Sequence, residues 1–267
     1  LLKGGKNRDV WMKFCFSSEF DTELYLLAED PAKCRITVNG KPVGAPCGWR
    51  VDKCLETIPI RVRTGENEIV IARRFENDER VYYVKNNHIH EAEANRVTVN
   101  TELESIYLWG RFAVKGELVC ADGPRRTAAF RPGFRLCPLP KEMDIARLEQ
   151  EGLTFFAGEI TLRRSFTAPA DGTALVRFAR PDAGVTEVAM NGETRRLLWA
   201  PYACTLPVKI GENTVSITLT NSCRNLFGPH YCKDGDLYNV WPGGFARETE
   251  EMYFLRFGIE GGIEIAY

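Results

Sequence analysis

A segment rich in aromatic and polar residues, 229–245, is the part of the sequence best suited to bind a ligand. Aromatic rings stack on the C–H faces of sugars, while carboxylate, amide and imidazole groups hydrogen-bond to hydroxyls. This combination predicts a carbohydrate-binding site. Its candidate contact residues are His230, Tyr231, Asp236, Tyr238, Asn239 and Trp241. The alternative is that the rings anchor a long loop to the rest of the protein.

Acidic turns offer candidates for a structural calcium ion, which prefers carboxylate and carbonyl oxygens. They are Asp234, Asp236 and Asp171 beside Gly172. Acidic turns also arise for purely local reasons. Two interpretations therefore stay open: these residues bind calcium, or they form turns that bind no metal. His88 and His90 have strand spacing that places both on one face, but no third ligand is evident, which favours a polar loop. No other cofactor is predicted.

No catalytic residue is predicted. The sequence has no Gly-x-Ser-x-Gly, no phosphate-binding glycine loop and no His-Glu-x-x-His. Glycoside hydrolysis requires a spaced pair of carboxylates, but 36 acidic residues make such pairs unavoidable and single none out. The chain is therefore expected not to be an enzyme by itself.

Bulk composition indicates an ordinary globular chain of two domains. It has 267 residues, 44% of them hydrophobic, and a formal net charge of −1. A balanced charge without basic clusters excludes a nucleic-acid partner, and no apolar run approaches the roughly 20 residues that span a bilayer. The chain begins at Leu1 without a methionine, so a piece of a longer protein is expected, and the localisation is left open.

The nine cysteines are an odd number and none has Cys-x-x-Cys spacing. Several lie in strand-like runs, which predicts buried thiols in a reducing compartment such as the cytoplasm. The alternative is a secreted protein whose leader peptide is missing from this piece.

An internal repeat organises the elements that would position these residues. In each half a strand ends in Asn-Gly, at Asn39-Gly40 and at Asn191-Gly192. Each is followed by a Gly-Glu-Asn turn, at 65–67 and 211–213, and then by an alternating strand. Asn-Gly fits a type I′ hairpin turn, because both residues tolerate positive φ.

Short strands separated by turns predict an all-β fold of two tandem jelly-roll β-sandwiches. The first spans 1–116 and the second 153–267, with a connector at 117–152 that holds a hairpin and a short helix near 141–151. Trp11 and Trp109 lie in strand patterns and are predicted to be core. Trp199 with Tyr202 is a weaker candidate for sugar stacking.

Each half resembles the galactose-binding-like jelly-roll domain found beside the catalytic domain in glycoside hydrolase family two and in α-L-rhamnosidase-like enzymes. The resemblance rests on the repeated turns, on 156–158, and on Gly48-Trp49-Arg50-Val51-Asp52 in the first half. Residues 224–231 are similar to an Asn-Leu-Leu-Gly-Pro-His-His segment of the rhamnosidase-like group, from which Phe227 and Tyr231 depart.

The resemblance implies a non-catalytic accessory region of a larger glycoside hydrolase, whose catalytic carboxylates lie on a separate barrel. The expected partners are carbohydrate, the catalytic domain, or both, with neither nucleic acid nor membrane. Two alternatives remain open: an autonomous carbohydrate-binding module, and a sandwich for protein interaction or oligomerisation.

Overall fold

The computed structural model describes residues 7–87, 90–94, 96–101, 103–231 and 249–267. Strands hold about 54% of the residues and helices about 9%, which confirms the predicted all-β sandwich class. The chain divides into two compact units, the first up to Phe112 and the second from Ala113.

The first unit contains eight strands within its described residues. Strands β1, β7, β3 and β4 form one sheet in that order, and β5, β6, β2 and β8 form the other. Helices α1 (Glu79–Asn86) and α2 (Glu91–Ala94) follow β7. The strands are β1 Arg8–Ser18, β2 Thr22–Glu29, β3 Cys34–Val38, β4 Lys41–Pro42, β5 Trp49–Arg50, β6 Asp52–Val62, β7 Gly65–Phe75 and β8 Tyr107–Trp109.

The second unit contains twelve described strands and one helix, α3 (Arg224–Phe227). Its sheets run β11-β17-β14-β15, β16-β12-β20, β13-β19 and β9-β10-β18. The strands are β9 Ala113–Gly123, β10 Thr127–Cys137, β11 Gly158–Ala168, β12 Gly172–Arg177, β13 Arg180–Asp182, β14 Val185–Met190, β15 Glu193–Leu197, β16 Ala203–Val208, β17 Gly211–Asn221, β18 Met252–Leu255, β19 Gly258–Glu260 and β20 Glu264–Ala266.

The repeat seen in the sequence is a repeat of sheet topology. The eleven-residue strands β1 and β7 pair antiparallel over their full length, and so do β11 and β17. Each unit also has a second sheet in which a central strand pairs with one strand on each side. In the first unit β2 lies between β6 and the short β8, and in the second unit β12 lies between β16 and the short β20. Alternate apolar side chains of these strands, such as Leu24, Leu26, Ile217 and Leu219, are buried.

Both Asn-Gly turns have the predicted backbone. The φ angles are 51° and 77° at Asn39 and Gly40, and 50° and 86° at Asn191 and Gly192. Two consecutive residues with positive φ are what a type I′ turn requires, so the predicted hairpins β3–β4 and β14–β15 are confirmed.

The segment predicted as a connector packs within the second unit. Its hairpin is present as β9 and β10, but the short helix predicted near 141–151 is wrong, because these residues form successive turns. The Leu148 N–H donates to the Phe257 carbonyl at 2.8 Å, and the Ile259 N–H donates to the Ile145 carbonyl at 2.7 Å. These long-range bonds replace the i to i−4 bonds of a helix.

Glu149 is fully buried in this turn segment. Its Oε2 accepts the Phe257 N–H at 3.0 Å and its Oε1 accepts the Gln150 Nε2–H at 3.1 Å. Burial raises the pKa of Glu149, because a poorly solvated site disfavours the charged carboxylate more than these hydrogen bonds favour it.

The variant Glu149→Gln is expected to remove a pH-dependent loss of stability. The pKa of Glu149 is higher in the folded protein than in the unfolded chain, where it is about 4.3. Between those two values the folded state binds more protons, so the free energy of unfolding falls as pH rises through this window. Urea unfolding from about pH 4 to 8 should show the variant gaining on the parent as pH rises. Glu142→Gln, at an exposed site of the segment, is the control, and a pH-independent difference for Glu149→Gln would contradict the prediction.

The eight cysteines in the described ranges are all free thiols. The prediction that they are buried is wrong for most of them, since only Cys137 is buried and five are exposed. The exposed ones are Cys15, Cys47, Cys54, Cys120 and Cys223. Strand alternation explains Cys15, which lies on the same face of β1 as the exposed Trp11 and Lys13. Among the described helices, none is long and apolar enough to cross a membrane.

Candidate functional site

Only two of the six residues predicted to contact carbohydrate, His230 and Tyr231, are described by the structure. Asp236, Tyr238, Asn239 and Trp241 lie outside the described residues, as does the calcium candidate Asp234. The structure therefore bears on this prediction through the contacts of His230.

His230 packs into an aromatic cluster of the second unit. Its ring centroid lies 4.8 Å from that of Phe254 and 5.6 Å from that of Phe155. Its Nε2 is hydrogen-bonded to the Asn225 carbonyl at 2.9 Å. Burial lowers the pKa of His230, because the charged imidazolium is poorly solvated there. These contacts favour the interpretation of His230 as an anchor at the start of the segment over that of a ligand contact.

A buried asparagine holds the returning chain in each unit. The Asn225 side chain donates to the Leu255 carbonyl at 2.8 Å and accepts the Leu255 N–H at 2.9 Å. Asn77 forms the same pair with Thr101, at 3.2 and 3.1 Å. An amide bonded in this way substitutes for one rung of a β-ladder, so Asn77 anchors the chain at Thr101 and Asn225 anchors it at Leu255.

Asp171, a calcium candidate from the sequence, holds a turn. Its Oδ1 accepts the Ile210 backbone N–H at 2.6 Å. In the first unit Asp21 accepts the Thr64 N–H at 2.6 Å, and this hydrogen bond lowers the pKa of Asp21. The same bond in both halves identifies the two carboxylates as parts of the repeated fold. The calcium prediction at Asp234 and Asp236 stays a prediction.

The histidine pair considered as a metal site is described only at His90, since His88 lies outside the described residues. His90 Nδ1 accepts the Ala92 N–H at 3.2 Å, which caps the start of α2. In the part of the chain that the structure covers, no group of three or more His, Cys, Asp or Glu side chains is arranged to hold a metal ion.

Two exposed rings form an aromatic pair on the outer face of a sheet in the first unit. Tyr25 on β2 lies opposite Trp109 on β8, and their centroids are 5.5 Å apart at 57°. Tyr25 is also opposite the exposed Pro59 on β6, so the row crosses three strands. Trp109 is 40% exposed, which shows that its predicted place in the core is wrong. The pair borders solvent and can accept a flat apolar ligand face.

Arg50 adds hydrogen-bond donors to this surface. Its guanidinium carbon lies 4.7 Å from the Trp109 ring centroid, within cation–π range. Its Nη1 donates to the Trp49 carbonyl at 2.8 Å, so two contacts hold the guanidinium in place. We call Tyr25, Arg50 and Trp109 the stacking surface.

Trp11, predicted to be core, and Trp199, a weaker candidate for sugar stacking, are both exposed. Neither has a ring partner among the described residues. Trp11 is 63% exposed on β1, so its predicted core position is also wrong, because it lies on the outer face of its strand. Trp199 is 73% exposed, while Tyr202 stacks on Phe178 at 6.1 Å and 16°. Trp199 and Tyr202 therefore do not form a joint platform.

A network of ion pairs joins β9, β13 and β19 within the second unit. Arg126 binds Asp182 through two hydrogen bonds of 2.9 and 2.5 Å, a bidentate geometry that raises the pKa of Arg126. The six members are Arg126, Arg147, Arg256, Asp122, Asp182 and Glu260. Three arginines balance three carboxylates, so the network leaves no net charge to bind a ligand. Its role is to stabilise the β9–β10 hairpin.

The alternation of residues along β2 is a sequence signal for the exposed position of Tyr25 in the stacking surface. Along β2 the residues alternate, with Glu23 and Tyr25 outward and Leu24 and Leu26 inward. An aromatic in phase with a glutamate is exposed by this rule. Arg50 had no such signal, because β5 has only two residues.

No known protein family and no curated protein matches the sequence. Solved structures that it resembles include a rhamnosidase from Novosphingobium sp. PP1Y, at 15% identity over 96% of this chain and 22% of that chain, with a TM-score of 0.30. A Pleurotus ostreatus lectin has 11% identity over 81% of this chain and 68% of that chain, with a TM-score of 0.24.

A third similar structure is an uncharacterised protein from Listeria monocytogenes EGD-e in complex with α-D-glucose, β-D-glucose, magnesium and calcium. It has 11% identity over 99% of this chain and 20% of that chain, with a TM-score of 0.21. The chain thus spans about a fifth of the length of the rhamnosidase and of the Listeria protein. Likenesses of this size do not establish a shared function.

Proposed function

We propose that this chain is a non-catalytic β-sandwich region of a carbohydrate-processing protein and that it contacts carbohydrate through the stacking surface. The observation that carries the proposal is the exposed Tyr25–Trp109 pair with Arg50 against the Trp109 ring. Rings that border solvent accept the C–H face of a pyranose, and an adjacent guanidinium donates hydrogen bonds to its hydroxyls.

A purely structural role explains less of this geometry. Cross-strand aromatic pairs stabilise sheets by about 0.2–1 kcal/mol even when they bind nothing. Such a pair does not require an arginine folded over one ring, nor a row of Pro59, Tyr25 and Trp109 that stays open across three strands. Exposed rings beside a guanidinium offer stacking and hydrogen-bond donors together, which supports the proposal.

The accessory role in a larger glycoside hydrolase follows from the resemblance of the repeated turns and is the broader part of the proposal. In this role the sandwiches support a catalytic domain elsewhere in the parent protein and bring its substrate close. The purified chain is then expected to have no hydrolytic activity. Turnover of an aryl glycoside, abolished by replacing a carboxylate of this chain, would show instead that the chain is catalytic.

The variant Trp109→Ala is expected to weaken glycan binding by about tenfold or more, which equals about 1.4 kcal/mol or more. The loss follows because the ring supplies both stacking area and the platform that holds Arg50. A glycan array on the purified chain identifies a ligand, and titration calorimetry then compares the variant with the parent protein.

The matched control is Trp11→Ala, which removes an exposed tryptophan from the other sheet of the same unit. It should leave the affinity unchanged. An array without any hit would refute carbohydrate binding by the stacking surface. A hit unaffected by Trp109→Ala and lost in Trp241→Ala would move the site to the segment predicted from the sequence.

The remaining alternative is a sandwich that mediates protein interaction or oligomerisation. The exposed Trp199 and Leu198, on the loop between β15 and β16, are the feature that favours it. Sedimentation at several concentrations tests it: a mass that rises with concentration in the parent protein, and less in Trp199→Ala, would support this alternative.

A further inference from the structure

A polar cavity of about 470 Å³ lies at the loop end of the first unit. Its volume falls within the roughly 300–1,000 Å³ of small-molecule sites. It is separate from the stacking surface, with which it shares no residue. The lining residues are Asn7, Lys33, Arg73, Arg74, Glu76, Asn77, Asp78, Asn100 and Thr101.

The cavity wall is held by hydrogen bonds. Asn77 binds Thr101 through both amide atoms, and the Thr101 Oγ1–H donates to the Glu76 carbonyl at 2.8 Å. Asn7 Oδ1 accepts the Asn77 N–H at 3.1 Å and the Tyr82 hydroxyl at 2.7 Å. A wall fixed in this way keeps its shape without a ligand, which lowers the ordering cost of binding.

Three lining side chains keep hydrogen-bonding capacity for a ligand. Within the described residues, Asn7 donates no hydrogen bond through Nδ2. The side-chain amide of Asn100 makes none either, while its backbone N–H donates to Asn77 Oδ1. Asp78 precedes α1 but its carboxylate makes no capping bond. Together they present amide donors, amide acceptors and carboxylate oxygens, which is the mixture that hydroxyl groups need because each hydroxyl both donates and accepts.

The charges around the cavity compensate one another. Asp30 lies 3.5 Å from Arg73 and 3.1 Å from Lys33, and the hydrogen bond from Lys33 lowers the pKa of Asp30. Arg74 lies 3.4 Å from Asp9 and 3.7 Å from Glu76. Each lining cation therefore has a carboxylate beside it, so the site does not favour an anion, and the only lining carboxylate outside these pairs is Asp78.

We propose that this cavity binds a single neutral sugar ring or a neutral polyol of similar size. Its volume admits one small ring, its free groups match hydroxyls, and its cations already have carboxylate partners, so an acidic sugar gains no advantage there. This inference does not rest on the stacking surface, because the two sites use different residues and different contacts.

Protein-observed NMR of the full chain with D-glucose, D-galactose and D-mannose tests the proposal. At least one of the three sugars should shift the side-chain amide signals of Asn7 and Asn100 in a saturable way. Asn100→Ala and Asp78→Ala should each weaken binding by about threefold or more, as expected for one lost hydrogen bond. D-glucuronate serves as a charged probe and should bind less tightly than the neutral sugar.

Trp109→Ala separates this proposal from the previous one, since it should leave the Asn7 and Asn100 shifts unchanged. The proposal is overturned if none of the three neutral sugars shifts these signals, if a charged probe binds more tightly, or if both cavity variants bind as the parent does. Binding lost in Trp109→Ala and kept in the cavity variants would assign the sugar to the stacking surface alone.

Discussion

Replacing Asn213 by alanine is expected to lower the free energy of unfolding of the second unit by about 3 kcal/mol or more. Asn213 is 3% exposed at the Gly-Glu-Asn turn. Its Nδ2 donates to the carbonyls of Lys209 and Gly211 at 2.7 and 2.9 Å, and its Oδ1 accepts the Lys209 N–H at 3.0 Å. Alanine would remove these three bonds, and with them the partners of the Lys209 and Gly211 backbone groups.

The same side chain also links the two turns of the repeat. Asn213 Oδ1 accepts a hydrogen bond from Asn191 Nδ2 at 2.7 Å, which ties the Asn-Gly hairpin to the Gly-Glu-Asn turn. In the first unit Asn67 makes the corresponding bonds, to Arg63, Gly65 and Asn39. Because one amide serves four bonds, its removal costs more than the 0.5–1.5 kcal/mol of a typical single bond.

Denaturant unfolding of Asn213→Ala and Asn67→Ala, followed by hydrogen exchange within each unit, measures the effect. Asn67→Ala should destabilise the first unit by a similar amount. Asn191→Gly is the graded control, since glycine tolerates the positive φ. It removes one of the four Asn213 bonds and the bond from Asn191 Nδ2 to the Pro207 carbonyl, at about 1–2 kcal/mol. A loss below about 0.5 kcal/mol in both alanine variants would show that the turns do not depend on these amides.

These asparagines explain why the sequence predicted the fold well. Asn39, Asn67, Asn191 and Asn213 recur in order because the turns they form need particular residues, for positive φ or for bonds to backbone groups. Such requirements are local, so they can be recognised without knowing what packs on the strands. The strands between the turns then follow from alternation.

Exposure could not be predicted equally well, since it depends on what covers each strand face. Trp109 has the residue type and the strand neighbours of a core position, yet its face of β8 is open. The turns at 141–151 failed for a related reason. Their apolar spacing suits a helix, but Ile145 and Leu148 use their backbone groups to bind Ile259 and Phe257, more than 100 positions away in the chain.

The candidate sites also depend on packing that the sequence does not reveal locally. The sugar-binding prediction at 229–245 rested on composition, which does not distinguish a ring that binds a ligand from one that anchors a loop. His230 lies against Phe155 and Phe254, whereas Tyr25 lies open to solvent on a sheet. The cavity beside Asn77 brings together residues from four places in the sequence, so no local motif could reveal it.

Replacing Phe254 by alanine is expected to destabilise the second unit by about 3–5 kcal/mol, the usual cost of removing a buried phenylalanine. Phe254 is fully buried on β18. Its ring centroid lies 4.7 Å from that of Phe155, and 5.8 Å from those of Phe130 and Phe134. Its removal would leave a cavity where these rings and the His230 ring meet.

The variant also reports on His230. In the parent protein burial lowers the pKa of His230 below the unfolded value of about 6.5. The unfolded chain therefore binds more protons below that value. This histidine's contribution to stability is lost as pH falls from about 6.5 to the lower pKa of the folded state. Water that enters beside the ring in Phe254→Ala would solvate the imidazolium, so the pKa of His230 should rise and this loss should become smaller.

Urea unfolding measures the loss of stability, and NMR titration of the His230 ring protons measures the pKa. Phe227→Ala is the matched control, because Phe227 is 45% exposed on the nearby helix α3, and its removal should cost less than about 1 kcal/mol. A folded Phe254→Ala variant in which His230 titrates as in the parent would show that the Phe254 ring does not keep water from the histidine. If both measurements change as expected, the aromatic cluster excludes water from His230, which supports the interpretation of this residue as an anchor at the start of segment 229–245.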